Sequence, residues 1–428
     1  MELILNPLFS RETIHVRAGG VGPHGPLIQQ AMDALAARGG GTVCLASGTY
    51  HLEDSLMLRN DVRLQGEDGA ILCRDPKVAV SALRCDVDVG QYEFTPEQTG
   101  LFRPGMGICF HDRERGWSHQ SDPLTVTAVR DGKVFLNRMN LLDRLAENGA
   151  IAVHHFPLVR GRDIDRAAVE NLILDGQVED RQEIATLSVA GLYLYHSRLC
   201  LLRRVTSRNM RGDGICFGKA SIHTVVDECH THHNHNYGIH PGSHSAHCLV
   251  RGCHIHDNAS DGLYICWGIH HSRFEENDIH DNGRGQWRSG ISIGHKDTDN
   301  HIARNRIYHN AKYGICVRVK TAANGAHRNH FEDNLIENNG HDPANIPPRY
   351  HSLPAEEMIG CGVHINGITD GLRFTRNTIR ETRAEGARWQ RHAFVLHEGV
   401  TNLILQDNQI DLHPDEDIVD PAGVMDLS

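Results

Sequence analysis

A glycine followed by an apolar residue returns down this 428-residue chain on a near-fixed period. It stands at Gly191-Leu192, Gly214-Ile215, Gly238-Ile239, Gly262-Leu263, Gly290-Ile291 and Gly314-Ile315, with a further copy at Gly362-Val363. The steps are 23, 24, 24, 28 and 24 residues, then 48 across an insertion. Asparagines keep the same phase. Asn277 and Asn305 follow their glycines at a constant offset that Cys229 and Cys253 fill in earlier copies, and N-x-I triplets begin at Asn334, Asn377 and Asn408. A second series runs Asn234, Asn258, Asn282, Asn310, Asn339. Repeat periods of roughly 20 to 50 residues mark solenoids and propellers. Runs such as Gly-Ile-Cys-Phe and Gly-Ile-Ser-Ile alternate as strands do. Short strands with Asn or Gly at the corners describe an all-β chain, a right-handed parallel β-helix.

Composition narrows the function classes. A formal charge of −11 argues against a nucleic-acid partner. No apolar stretch approaches the length of a membrane span, and the first residues lack the basic and apolar regions of a signal peptide, so a cytoplasmic location is expected. Many of the twelve cysteines occupy repeat-equivalent positions and no C-x-x-C pair occurs. Free buried thiols are expected rather than disulfides or a structural zinc site. The 32 histidines are the outlier, and most fall in turns. His230, His232, His233 and His235 crowd one turn, with His254 and His256 one coil later. Stacked imidazoles could hold zinc, so a divalent metal is possible, but no phased carboxylate or cysteine set accompanies them and no metal site is assigned.

Residues 1–84 read as a cap and first coils. Pro26 to Arg38 has helical periodicity and ends at Gly39-Gly40-Gly41. Residues 85–158 break the period and contain a hairpin signal at Asp131-Gly132, so they read as a small antiparallel β insertion. Coils are expected over 159–415, with a Pro-rich loop at 340–358, followed by a loose acidic tail over 416–428. Helix, Gly-Gly-Gly-Thr-Val, then Ser-Gly-Thr-Tyr resembles the start of pectate-lyase and polygalacturonase superfamily chains. That resemblance implies a helix plugging the open end of the solenoid.

Strand residues alternate between faces. Counting from each glycine, positions +1 and +3 are apolar and should face the core. The outward +2 positions are Tyr193, Cys216, His240, Tyr264, Ser292, Cys316 and His364. The outward +4 positions include Tyr195, Cys266, Arg318 and Asn366, with His397 added in a shifted frame. Trp267, His295 and Lys296 follow the strand ends. Such a face suits a carbohydrate groove, with Tyr193, Tyr195, Trp267, His295, His364, Asn366 and His397 as binding residues.

Glycoside hydrolysis normally needs two carboxylates, and the outward positions carry none. Asp213 and Asp261, each just before a glycine and two coils apart, are the candidates for an inverting hydrolase. Elimination or C5-epimerisation of a uronate needs a base, a cation to neutralise the carboxylate, and an acid. His, Tyr, Lys and Arg supply these. Arg318, with no acid in its own column, is expected to hold an acidic group of the substrate.

Asn236-Tyr-Gly-Ile-His-Pro-Gly-Ser-His, followed by His256-Asp-Asn and Asp261-Gly, resembles the catalytic stretch of alginate C5-epimerases. His240 and Gly242 stand where that family has Asp and His. The resemblance implies catalytic places for Tyr237 and Asp261. On the outward face, Tyr237, Tyr264 and His240 are the candidate acid and base, in either order. Ile291-Ser-Ile-Gly-His-Lys and Ile315-Cys-Val-Arg resemble runs of chondroitinase-B-like and alginate lyases, which implies roles for Lys296 and Arg318. The expected function is a lyase or C5-epimerase on a uronate-containing saccharide. An inverting hydrolase and a non-catalytic glycan binder are the alternatives, and the expected partner is an acidic oligo- or polysaccharide.

Overall fold

A computed structural model describes residues 9–19, 23–75, 79–114, 116–117, 123–177, 190–352, 359–412 and 418–420. Among these, three long parallel sheets of twelve, eleven and eleven strands wind as a β-helix. Each turn runs from a groove-sheet strand, such as Ile215–Gly218, to a first-sheet strand, Val225–Asp227, and then a second-sheet strand, His230–His232. Every apolar +1 and +3 side chain, from Leu192 and Leu194 to Val363 and Ile365, is fully buried in one continuous core. Like stacks on like: Ile255, Ile279, Ile307, Ile336 and Ile379 form a column, and the Phe331 and Phe374 rings lie 4.4 Å apart. Each such side chain contributes about 1.5–3 kcal/mol of burial.

The N-terminal end is closed by the expected helix, observed at Gly25–Ala37, which buries Ile28, Ala31, Met32 and Leu35 against the first coil. It stops at glycines with positive φ, and a Cβ on Gly40 would lie 2.3 Å from the Asp61 carbonyl. No other residue fits there.

The insertion is a seven-stranded, mainly antiparallel sheet running from Val80–Ala82 to Ile151–His154, with its own core around Phe94, Phe102 and Phe110. Its first strand therefore lies ahead of the expected start at residue 85. Asp131 and Gly132 both take positive φ at the hairpin. The helix continues past this sheet, because Leu56–Met57 pairs in parallel with Val159–Arg160. The tail also differs from expectation. Ile418–Val419 pairs with Phe394–Val395 and extends the groove sheet, while 413–417 and 421–428 lie outside the described residues. The Pro-rich loop carries two short 3-10 turns, Pro343–Asn345 and Pro348–Tyr350, and its residues 353–358 are also outside. No disulfide joins any two of the twelve cysteines, and no described helix is long and apolar enough to cross a membrane.

The asparagine series are hydrogen-bonded ladders. Asn258 Nδ2 donates to Asn282 Oδ1 at 2.9 Å, and Asn282 Nδ2 donates to Asn310 Oδ1 at 3.1 Å and to the Ile255 carbonyl at 2.9 Å. Asn282 Oδ1 also accepts from the Asn258 backbone N–H. Buried corner amides thus find partners one coil away. Asn282→Ala should orphan the Asn258 N–H and the Ile255 carbonyl, at a cost of about 2–4 kcal/mol. Urea unfolding checks this, and a variant as stable as the parent would show that the ladder contributes nothing.

Candidate active site

The outward face of the groove sheet is less open than alternation implies. Tyr193, Cys216, His240, Ser292 and His364 point out of the core yet are nearly buried. The residues that follow the +4 positions of five successive coils explain this. His196, Lys219, Ser243, Trp267 and His295 all adopt left-handed backbone, with φ between 45° and 71°. The chain therefore turns at the strand ends, and Lys219, Ser243, Trp267 and His295 form a rim. Between rim and sheet lies a cleft of about 420 Å³.

Six of the expected residues line it: Tyr193, Tyr237, His240, Tyr264, Trp267 and His295. Cys216, Gly218, Lys219, Gly242, Ser243 and Cys266 join them without having been singled out for the site. Lys219 is exposed at the rim, and Trp267 is 57% exposed. The face spacing hides Lys219 because a left-handed turn is a backbone event with no side-chain periodicity.

At the centre, the Tyr237 and Tyr264 rings stack with centroids 3.9 Å apart, and the His240 ring meets both edge-on at 5.2 and 5.1 Å. His240 Nδ1 lies 2.8 Å from Asp213 Oδ2. Nδ1 therefore carries the proton it donates, which leaves Nε2 as the lone-pair nitrogen of the neutral ring. A Cβ on Gly242 would come within 3.2 Å of that Nε2, so glycine leaves room for it. Asp213 is held in turn by Asn236 Nδ2 at 2.7 Å. Burial raises the phenol pKa of both tyrosines, so both remain protonated donors.

The two expected hydrolase carboxylates do not reach the cleft. Asp213 is 0% and Asp261 2% exposed; the first is committed to His240, and the second accepts from the Ser289 N–H at 2.8 Å. Burial lifts the Asp261 carboxyl above its ordinary range, against the pull of Arg288.

Arg318 is placed differently from the expectation of a free anion-binding fork. Its guanidinium folds back onto Ser292 Oγ at 2.8 Å, the Ile265 carbonyl at 2.6 Å and Asp297 Oδ2 at 3.4 Å, and it covers the Tyr264 ring at 4.4 Å. The acidic neighbour missing from its own column comes from a turn one coil earlier. Asp297 also accepts backbone N–H bonds from Gly268, Ile269 and Gly294. Burial pushes its carboxyl up to about 7, with Arg318 and those donors pulling the other way.

Lys296 is exposed and does not line the cleft, and Tyr195 packs outside it under Arg162. His364, Asn366 and His397 form a separate group farther along the sheet, where His364 stacks on Tyr313 at 4.3 Å and meets His397 Nε2 at 3.1 Å. Asp213, Cys216 and His240, of which the last two line the cleft, place ligand atoms within 4.8 Å of one another and could hold a metal. Burial and Asp213 keep the Cys216 thiol well above its usual range, so it sits there as a thiol.

A family model described as a right-handed beta helix region matches residues 190–379. The mannuronan C-5 epimerase AlgE4 A-module of Azotobacter vinelandii aligns with a TM-score of 0.52 at 15% identity, covering 94% of this chain and 97% of that one. An exopolygalacturonase of Thermotoga maritima aligns at 0.52 and 12%, covering 96% and 93%. The Dettilon tailspike protein aligns at 0.55 and 12%, covering 94% and 68%. Curated protein sequences give no match. The chain has a right-handed parallel β-helix fold.

Histidines held below their ordinary pKa imply a pH response. Burial holds His295 down to about 4 and His364 to about 3, and burial with Arg74 keeps His155 well below its ordinary value. In the unfolded chain these rings titrate near about 6.5. Between about pH 4 and 6.5 the unfolded chain takes protons that the native state refuses, so stability rises with pH across that window and is lost on acidification. The raised carboxyls of Asp261 and Asp297 act in the opposite sense, but depressed histidines outnumber them. Urea midpoints should fall steadily from about pH 6.5 to 4. A flat profile there, with loss only below about pH 4, would contradict the assignment.

Proposed function

We propose that this protein is a lyase or C5-epimerase acting on a uronate-containing oligo- or polysaccharide in the cleft over the groove sheet. The observation that carries this reading is the Asp213–His240 pair, which turns an imidazole lone pair toward a cleft with no carboxylate among its lining residues. Hydrolysis would need an acid and a carboxylate base there. Proton abstraction α to a carboxylate needs an unprotonated general base, and His240 Nε2 is placed to supply it. Lys219 at the rim neutralises the substrate carboxylate as charge builds on it. A phenol of the Tyr237–Tyr264 stack returns a proton, to the leaving O4 in elimination or to the opposite face of C5 in epimerisation. Trp267 offers a flat apolar surface on which a sugar ring can stack. The fold is shared with a mannuronan C-5 epimerase module and an exopolygalacturonase, which supports a sugar polymer as occupant.

Incubation with polymannuronate, polygalacturonate and glucuronate-containing polymers, beside a neutral glucan, tests the reading. An unsaturated uronate absorbing in the ultraviolet, or an altered C5 configuration, from a uronate polymer alone is the expected result. New reducing ends without either would make the protein a hydrolase, and tight binding without any product would make it a binder.

A further inference from the structure

A second cluster of chemistry lies on a different sheet from the cleft and contributes no residue to it. The second-sheet strands His230–His232, His254–His256 and Asp278–His280 stand in parallel register, with His230 beside His254 beside Asp278, and His232 beside His256 beside His280. Their outward rings stack as a ladder, His232 on His256 at 5.2 Å and His256 on His280 at 5.0 Å, each pair within 2° of parallel. His230 stacks on His254 at 4.8 Å.

Diagonal contacts link the two columns through nitrogen. His230 Nε2 lies 2.7 Å from His256 Nε2, and His254 Nε2 lies 2.8 Å from His280 Nε2. Two carboxylates settle the tautomers. His256 Nδ1 is 2.7 Å from Asp257 Oδ2, and His280 Nδ1 is 2.7 Å from Asp281 Oδ2. An Nδ1–H donated to a carboxylate leaves Nε2 as the lone-pair nitrogen, which is the arrangement that orients metal-ligating imidazoles. These aspartates are the carboxylates missing from the sequence pattern; each directly follows its histidine. The ligand atoms of His230, His254 and His256 all lie within 4.8 Å of one another. One coil on, His254, Asp278 and His280 meet the same condition, and Asp278 Oδ1 is buried without a hydrogen-bond partner among the described residues.

We propose that this ladder is a binding site for one divalent transition-metal ion, ligated by His230, His254 and His256 with Asp257 orienting His256. Both triads need His254, so a single ion is held. Imidazole donors select zinc, nickel or copper over calcium and magnesium. The ion ties adjacent coils together and stabilises the native chain by mass action.

The test is calorimetric titration of the full-length, tag-free protein with zinc chloride at neutral pH, with magnesium chloride as comparison, and melting temperatures with and without zinc. Saturable zinc binding with a raised melting temperature, and none with magnesium, is expected. His256→Ala and His230→Ala should each lose the binding and the thermal gain, and Asp257→Asn should weaken affinity about 10- to 100-fold. His223→Ala, in a separate stacked pair with His247, should leave both intact. Absence of saturable zinc binding by the parent, or undiminished affinity in both ligand variants, would overturn the proposal.

Discussion

His240→Ala should lower turnover by about 10²- to 10⁴-fold, the range that a positioned general base contributes. The ring lies over the strand rather than in the coil core, and Asp213 keeps Asn236 Nδ2 and the Tyr237 N–H as partners, so the fold should survive the change. Asp213→Asn should give a smaller loss, because an amide still contacts Nδ1 but no longer enforces one tautomer. Initial rates at saturating substrate, beside matched melting curves, check both. A His240→Ala enzyme of parental rate would remove the base from the proposed reaction.

The second large effect concerns stability. Arg318→Ala should destabilise the protein by about 3–5 kcal/mol at alkaline pH, the cost of leaving a buried acid without its cation. The side chain is 14% exposed and its Asp297 partner fully buried, so water cannot replace the lost contact. The sign with pH follows from Asp297. Its folded pKa already stands above the unfolded value, and removing Arg318 raises it further, so the folded variant binds a proton that the unfolded chain releases. Stability of the variant therefore falls as pH rises through that folded pKa, and its deficit shrinks toward mildly acidic pH. Urea unfolding at two pH values measures this. A deficit that stays constant, or grows on acidification, would show that Arg318 and Asp297 are not coupled.

The parts of the molecule legible in the sequence are those set by local repetition. Alternation along Gly-Ile-Ser-Ile or Gly-Leu-Tyr-Ile assigns inner and outer faces because the strand period is two, and the stacked asparagines announce corners because only a short amide reaches both its own turn and the next. What was not legible depends on geometry between coils. Asp213 meets His240 across 27 residues, and Asp297 meets Arg318 across 21. Neither acid shares a column with its partner, so reading down columns leaves Asp213 a hydrolase candidate and Arg318 unpaired. Lys219 was missed because its left-handed turn, not its place in the alternation, carries it to the rim. His364, Asn366 and His397 have the right facing but lie too many coils away. Alternation tells direction and says nothing about where the rim closes.

Proton abstraction at C5 is the chemical event common to elimination and epimerisation, and hydrolysis does not include it. Incubating the protein with uronate polymers in deuterium oxide and reading C5 by nuclear magnetic resonance therefore tests the central claim directly. Deuterium at C5, or an unsaturated residue lacking that proton, abolished in His240→Ala, is the predicted result. Products that retain every C5 proton, or no turnover of any uronate polymer, would contradict it.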